Sequence, residues 1–263
     1  MDPVKVFRAD GPLVLAFPHT GTFVPPEIEA KLNAEGKLLR DTDWHIERLY
    51  AGLIPDATTV QATFHRYVID ANRDPSGQSL YPGQTTTGLV PLSTFDNTPI
   101  WDHEPTEAEI AERLTTYHAP YHAALRAELD RVKKIHGFAV LYDCHSIRSV
   151  IPWLFDGVLP ELNIGTNHGA TCDKAIEAAC FDRSAATGRT HVLNGRFVGG
   201  WTTRHYGQPQ DNVHAIQMEL SQASHLSQEE PPFDLDPTLS AKLRPQLADI
   251  LSAIIGAAKG LAH

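Results

Sequence analysis

The feature that most constrains this chain is a recurrence of short apolar, β-branched runs separated by amphipathic segments. "PLVLAF" (12–17), "TTVQATF" (58–64), "RYVID" (66–70), "FAVLYD" (138–143) and "HAIQMEL" (214–220) read as strands. Between them, "PPEIEAKLNAEG", "WHIERLYAGL" and "TEAEIAERLTTYHAPYHAALRAELDRVKKIHG" carry helical spacing. The last of these opens on a Thr106/Glu109 capping box, meets a break or kink at Pro120 and stops at Gly137. "TCDKAIEAAC" and the C-terminal "LSAKLRPQLADILSAIIGAAKGLA" read as two further helices. Strands alternating with helices imply an α/β sandwich around a mostly parallel or mixed sheet. With 263 residues, 42% of them hydrophobic, one large core can form, so a single domain over 1–263 is expected. Residues 74–104, rich in Pro, Gly and Thr, are expected to form an active-site flap, since so long a loop in a compact domain seldom serves as a plain connector.

The charge balance narrows the partners. Lys and Arg number 22 against 32 Asp and Glu, a net charge of −10, which argues against nucleic acid or an anionic membrane surface. An anionic small molecule would therefore need a local positive site. No basic segment precedes an apolar one at the N-terminus, and no apolar run is long enough to span a bilayer, so a cytoplasmic location is expected. No obligate protein partner is evident. Three cysteines without metal-knuckle spacing do not make a disulfide framework.

In open α/β sheets ligands bind beyond the carboxyl ends of the strands, and here those ends are chemically rich. "PHTG" holds His19, "DANRDP" holds Asp70, Asn72 and Arg73, and "DCHSIR" holds Asp143, His145 and Arg148. Glu219 interrupts an apolar strand, and "DTDWH" opens a helix with Asp41 and Asp43. Singly, each has an ordinary structural explanation: a core histidine, a helix cap, an Asx turn, a surface ion pair. Jointly those explanations require several coincidences at one sheet edge. Two imidazoles and a carboxylate can hold a catalytic zinc with an open position for water, a glutamate can shuttle the water's proton, and an arginine fork can bind a substrate carboxylate. On that reading His145 points at the metal, Asp143 accepts from an imidazole N–H, and Arg148 lies near the substrate. A thiol mechanism through Cys144 and His145 is disfavoured, because neighbours on an extended strand point to opposite faces. A non-catalytic module binding an anionic metabolite leaves Glu219 and both histidines without a role.

The segments "VLAFPHTGTFVP", "LRDTDWHIERLY", "TFHRYVIDANRDPSG", "LYPGQTTTGLVPL", "YHAALRAELDRVKKIHGFAVLYDCHSIRS", "NGRFVGGWTTRHYG" and "VHAIQMELSQ" occur in order over about four-fifths of the chain. As a set they resemble the N-formylglutamate amidohydrolase family, which is distantly similar to zinc carboxypeptidases and aspartoacylases. The resemblance implies a three-layer α/β/α sandwich around a mixed, mostly parallel sheet. It also implies hydrolysis of N-formyl-L-glutamate to formate and L-glutamate, a step of histidine degradation, with one divalent metal ion, zinc being the first expectation. Carried over, His19 and His145 are metal ligands and Glu219 is the general base. "DANR" is similar to the aspartoacylase stretch that binds a substrate carboxylate, which assigns that role to Asn72 and Arg73. Those distant relatives place a glutamate three residues after the first histidine, where this chain has Thr22. The third ligand is therefore expected elsewhere, at Asp43 in preference to Asp41 or Glu27. The substrate's second carboxylate is assigned to Arg148 or Arg204. Cleavage of another N-acyl amino acid is the nearest alternative activity.

Overall fold

The computed structural model describes residues 1–78 and 86–261. Seven strands form one sheet: β1 (Val4–Phe7), β2 (Leu13–Phe17), β3 (Thr58–Ala62), β4 (Ala139–Ile147), β5 (Leu162–Gly165), β6 (His191–Leu193) and β7 (Val213–Ser221). Their spatial order is β1-β3-β2-β4-β7-β5-β6. The middle four run parallel, β1 joins β3 antiparallel, and β5 joins β7 antiparallel while pairing β6 in parallel. The sheet is thus mixed and mostly parallel, with helices on both faces, as the alternation of runs implied.

Residue alternation along β2, β4 and β7 divides the interior into two cores. Leu13, Leu15, Phe17, Val140, Tyr142, Cys144, Ile216, Met218 and Leu220 point to one face. There α2 (Ile46–Tyr50), α5 (Lys174–Ala186) and α7 (Pro237–Leu261) cover them with Leu49, Ile176, Leu247 and Ile250 among others. Val14, Ala16, Val60, Leu141 and Ala215 point to the other face, against Tyr121, Leu125, Leu129 and Val132 of α4 (Ala119–His136).

Several sequence expectations shift. β4 does not end at Asp143 but continues through Ile147, fully buried along its length, so the acid, thiol and imidazole of "DCHSI" are strand residues. "RYVID" is not a strand. Phe64 makes a last bridge to Phe23, after which the chain turns inward, with Val68 N–H donating to the His65 carbonyl and Asp70 N–H to that of Leu89. Tyr67, Val68 and Ile69 remain wholly buried, so apolarity there reports burial rather than strand geometry. β1, β5 and β6 were missed: each is three or four residues long, too short for a periodic signal. "PPEIEAKLNAEG" is α-helical only over α1 (Pro26–Glu29), and its last residue opens a 3₁₀ turn, Gly36–Leu38.

The capping box is present: Thr106 accepts from Glu109 N–H, and Glu109 accepts from Thr106 N–H, at the start of α3 (Glu107–Arg113). At Pro120 the chain does not break. A π-helical turn, Leu114–His118, joins α3 to α4, and the pyrrolidine, lacking an N–H, falls in the first turn of α4. Gly137 ends α4 at φ 80°, a left-handed conformation that glycine adopts without strain. Of the proposed flap at 74–104, residues 79–85 lie outside the described residues; of the remainder, Thr86, Thr87 and Phe95 reach the central cavity.

Leu247 is fully buried where α7 crosses the sheet, away from that cavity. Leu247→Ala should lower unfolding stability by about 2–5 kcal/mol through lost burial and the void left behind, read as a lower urea midpoint at unchanged slope.

Candidate metal and substrate site

The two cores stop at different heights. On the α7 face β4 and β7 stay apolar as far as Cys144 and Leu220, with Ser146 closing β4. On the α4 face both strands turn polar after Leu141 and Ala215, presenting Asp143 and His145 on β4 and Gln217 and Glu219 on β7. Their parallel register sets Asp143 beside Gln217 and His145 beside Glu219. Burying four polar side chains in adjacent strands carries a large desolvation cost unless each finds a partner. Glu219 accepts from Gln217 Nε2 at 3.2 Å, Gln217 from Gly200 N–H, and Asp143 from the Thr203 hydroxyl at 3.2 Å; His145 meets Asp43 and Asn72, while three loops close over the face.

The loop after β2 brings His19. Its Nε2 lies 2.6 Å from Asp70 Oδ1, while Nδ1 is buried with no hydrogen-bond partner. The turn leading into α2 brings Asp43, tied to the first loop by its N–H, which donates to the His19 carbonyl at 3.1 Å. Asp43 Oδ2 is 3.0 Å from His145 Nδ1 and 3.7 Å from His19 Nδ1. His145 Nε2 faces Asp143 Oδ2 at 3.2 Å. Both imidazoles therefore rest one nitrogen on a carboxylate and aim the other at Asp43, the arrangement that fixes a ligand tautomer. His19, Asp43 and His145 are all buried, and their ligand atoms lie within 4.8 Å of one another. Among the described residues they are the group that could hold a metal ion.

The third loop, after β3, supplies Arg66, Asp70, Asn72 and Arg73. Arg66 is buried, donates to Asp70 Oδ2 at 2.7 Å, and stands 3.9 Å from Asp43 Oδ1. Burial favours a neutral Asp70, but Arg66 and Arg73 outweigh it and hold the carboxyl well below the ordinary range. For Asp43, burial is likewise outweighed by the two imidazoles, which keep it ionised. Glu219 lacks such compensation: burial pushes its carboxyl up to about 8. Asp43, Asp70, Asp143 and Glu219 are all buried here, with the Arg66 guanidinium beside Asp43 and Asp70.

Asn72 is set by the next segment. Its Oδ1 accepts from Thr202 N–H at 2.8 Å, and its Nδ2 lies 3.1 Å from His145 Nε2. Gly200, whose N–H donates to Gln217 Oε1 at 2.6 Å, leaves the room for this: a Cβ there would lie 2.4 Å from Asn72 Nδ2. Arg73 is anchored to Thr87, donating to its carbonyl and hydroxyl at 2.9 Å each.

All of these side chains except Asp70 and Asp143 line one cavity of about 600 Å³, open to solvent and walled also by Phe95, Ile147, Leu154, Arg196 and Phe197. Of the residues singled out from sequence, His19, Asp43, Asn72, Arg73, His145 and Glu219 meet here. The rest stand elsewhere. Arg148 does not line the cavity: it pairs with Asp96. Arg204 also lies off it, donating to the Gly199 carbonyl at 2.9 Å. Asp41 is turned away, accepting from Tyr67 Oη at 2.9 Å and from Phe95 N–H at 3.0 Å, with burial raising it to about 6. Glu27 lies on the exposed side of α1. Cys144 faces the α7 core, where burial raises its thiol well above the ordinary value, so no nucleophile–base pair with His145 exists. Arg66, Arg196, Phe95 and Gln217 were missed. Gln217 was findable, two residues before Glu219 and so on the same strand face; Arg66 was hidden by reading "RYVID" as a strand.

A family model described as N-formylglutamate amidohydrolase matches residues 11–226. A Pseudomonas aeruginosa protein named N-formylglutamate deformylase is 43% identical over 263 residues, spanning 97% of each chain. One of the same name from Pseudomonas putida is 41% identical over 264 residues, again 97% of each. In fold the chain is similar to the crystal structure of N-formylglutamate amidohydrolase from Ralstonia eutropha JMP134, with a TM-score of 0.80 at 23% identity over 96% of this chain and 98% of that one. A gene product from Agrobacterium tumefaciens gives a TM-score of 0.73 at 18% identity, over 97% and 96%.

The geometry separates the two neighbouring aspartates. Asp43→Asn and His145→Ala should each lose tight binding of a divalent ion by equilibrium dialysis, whereas Asp41→Asn should keep it.

Proposed function

The chain belongs to the N-formylglutamate amidohydrolase family, and from that premise we propose that it hydrolyses N-formyl-L-glutamate to formate and L-glutamate. One observation carries the reading: an unpartnered His19 Nδ1, Asp43 and His145 Nδ1 converge beside Glu219, in a cavity that also holds Arg73 and Arg196.

The donor set of two imidazoles and one carboxylate suits zinc. A zinc ion held by His19, Asp43 and His145 would supply Lewis acidity, lowering the pKa of water and polarising the formyl oxygen. Asp70 and Asp143 hold the outward nitrogens of the two imidazoles, so that both rings present Nδ1 inward. Glu219 is the proton shuttle: its carboxylate takes a proton from water as the water oxygen adds to the formyl carbon. It returns that proton to the amide nitrogen as the C–N bond breaks. Its raised pKa favours this, because a base too acidic would not hold the proton between the two steps.

The substrate's two carboxylates call for two cationic contacts. Arg73, with Asn72 beside it, takes one; Arg196, on the wall formed with Phe197 and Leu154, takes the other in place of Arg148 or Arg204. Thr86, Thr87 and Phe95, from the stretch read as a flap, wall the cavity, with Thr87 holding Arg73. Residues 1–263 act as one domain in this reading, with the site at the carboxyl ends of its central strands.

Formate release should vanish on chelation and return with zinc; chelator-resistant turnover would remove the metal from the mechanism. Glu219→Gln should lower kcat by about 10²–10⁴ while KM and bound metal stay near wild type. Arg73→Ala and Arg196→Ala should each forfeit about 1.5–3 kcal/mol of binding, seen as KM raised roughly ten- to a hundredfold.

A further inference from the structure

Behind the Asn72–Arg73 segment, on the side away from the cavity's metal-ligand group, lies a cluster of rings from two helices. His118 ends the π-helical turn and His122 lies one turn further along α4, their ring centroids 4.3 Å apart. Trp201, at the start of α6 (Trp201–Tyr206), packs edge-on against His122 at 4.6 Å and stacks on His205 at 4.3 Å. His118 and His122 are both buried.

Their partners are specific. His122 Nε2 lies 2.8 Å from the Ala71 carbonyl, and His118 Nε2 lies 3.1 Å from the Arg73 carbonyl. A carbonyl only accepts, so in both rings Nε2 carries the proton. His122 Nδ1 then faces Tyr206 Oη at 3.0 Å, whose one proton also reaches the His122 carbonyl at 3.1 Å. Burial depresses both imidazoles below their ordinary pKa, which keeps them in the neutral form this pattern requires. The two donors grip the chain one residue before and one residue after Asn72. The Asn72 carbonyl between them accepts from Arg73 Nη1 at 3.0 Å, so three consecutive carbonyls are satisfied by side chains rather than by a sheet.

A π-turn inserts an extra residue into a helix and rotates the face that follows it. Here that rotation coincides with a pair of histidines spaced i, i+4, hence on one helix side, meeting the loop that carries two substrate-facing groups. The geometry points to His118 and His122 as positioning residues: a neutral two-histidine clamp that holds the backbone of Ala71–Arg73 and thereby sets where Asn72 and Arg73 meet the substrate. This inference rests on the substrate role proposed above for Asn72 and Arg73. The clamp acts on capture, since Asn72 and Arg73 are the substrate-facing groups it places; the proton shuttle and the metal-binding trio hang from other elements, and Asn72 Nδ2 meets the trio at His145 Nε2.

The test uses steady-state kinetics of formate release from N-formyl-L-glutamate by the metal-loaded full chain. His118→Phe and His122→Phe keep a ring in the aromatic stack but remove the donor; His118→Gln and His122→Gln keep an N–H near the Nε2 position. The Phe variants should raise KM about tenfold, the equivalent of one neutral hydrogen bond of about 1.4 kcal/mol, with kcat and metal content within about twofold of wild type. The Gln variants should restore KM to within about threefold. In an Arg73→Ala background His118→Phe should add little, because the group it positions is already gone. Unchanged KM in the Phe variants, a fall confined to kcat, or full additivity with Arg73→Ala would overturn the clamp while leaving the substrate site standing. Should the Phe variants fail to fold, Gln variants with raised KM would count against it equally. If Arg73→Ala alone leaves KM at the wild-type value, the substrate assignment itself fails and the clamp falls with it.

Discussion

The parallel pairing of β4 with β7 is the contact on which the rest depends. It aligns His145 with Glu219 and Asp143 with Gln217, so that an imidazole, two carboxylates and an amide share one sheet face in a fixed order. No loop could hold them so closely, because side-chain positions on paired strands are set by the ladder rather than by flexible connections. The two strands turn polar on that face at their carboxyl halves; the opposite face is apolar except for Ser146 near the end of β4 and His214 near the start of β7. The hydrophobic core thus serves as the rigid floor of the site, and the site begins where one of the two cores stops.

Charge organises the layer above that floor. Asp43, Asp70, Asp143 and Glu219 are carboxylates with little access to water, and each is managed differently. Asp70 is neutralised by Arg66, Asp43 by the two imidazoles, and Asp143 sits against His145 and the Thr203 hydroxyl. Burial disfavours the ionised form of Glu219, which suits the proton-shuttle role proposed for it. The unpartnered His19 Nδ1, with Asp43 and His145 close by, belongs to a group that could hold a cation. Arg73 and Arg196 serve a different purpose: they stand at the cavity wall rather than in its floor, and offer a positive surface within a chain whose net charge is −10.

Most of the site was legible because its members are chemically out of place. A glutamate between Met218 and Leu220, or an acid, thiol and imidazole after five apolar residues, stands out against a strand pattern. The preference for Asp43 over Asp41 and Glu27 rested on resemblance, and three-dimensional placement gives it a physical basis: Asp41 is occupied by Tyr67 and Phe95, and Glu27 is exposed. Arginines were the poorest guide. Arg148 and Arg204 lie off the cavity, whereas Arg66 lines it, as does Arg196 from the same "NGRFVGGWTTRHYG" segment that holds Arg204. A guanidinium on a long stem reaches several residues' distance in any direction, so its sequence neighbours say little about where it works.

By itself the sequence determined the alternation of strands and helices, the capped start and glycine stop of the long helical stretch, the opposite facing of Cys144 and His145, and the set of residues with unusual chemistry. These follow from periodicity and propensity, which act over a few residues and are therefore written locally. Only the tertiary structure decided which polar residues share a cavity, which aspartate faces the imidazoles, and that His118 and His122 stand behind Asn72. Those relations join segments tens of residues apart, through strand order, register and the phase of a π-turn, and no local pattern encodes the sum of such placements.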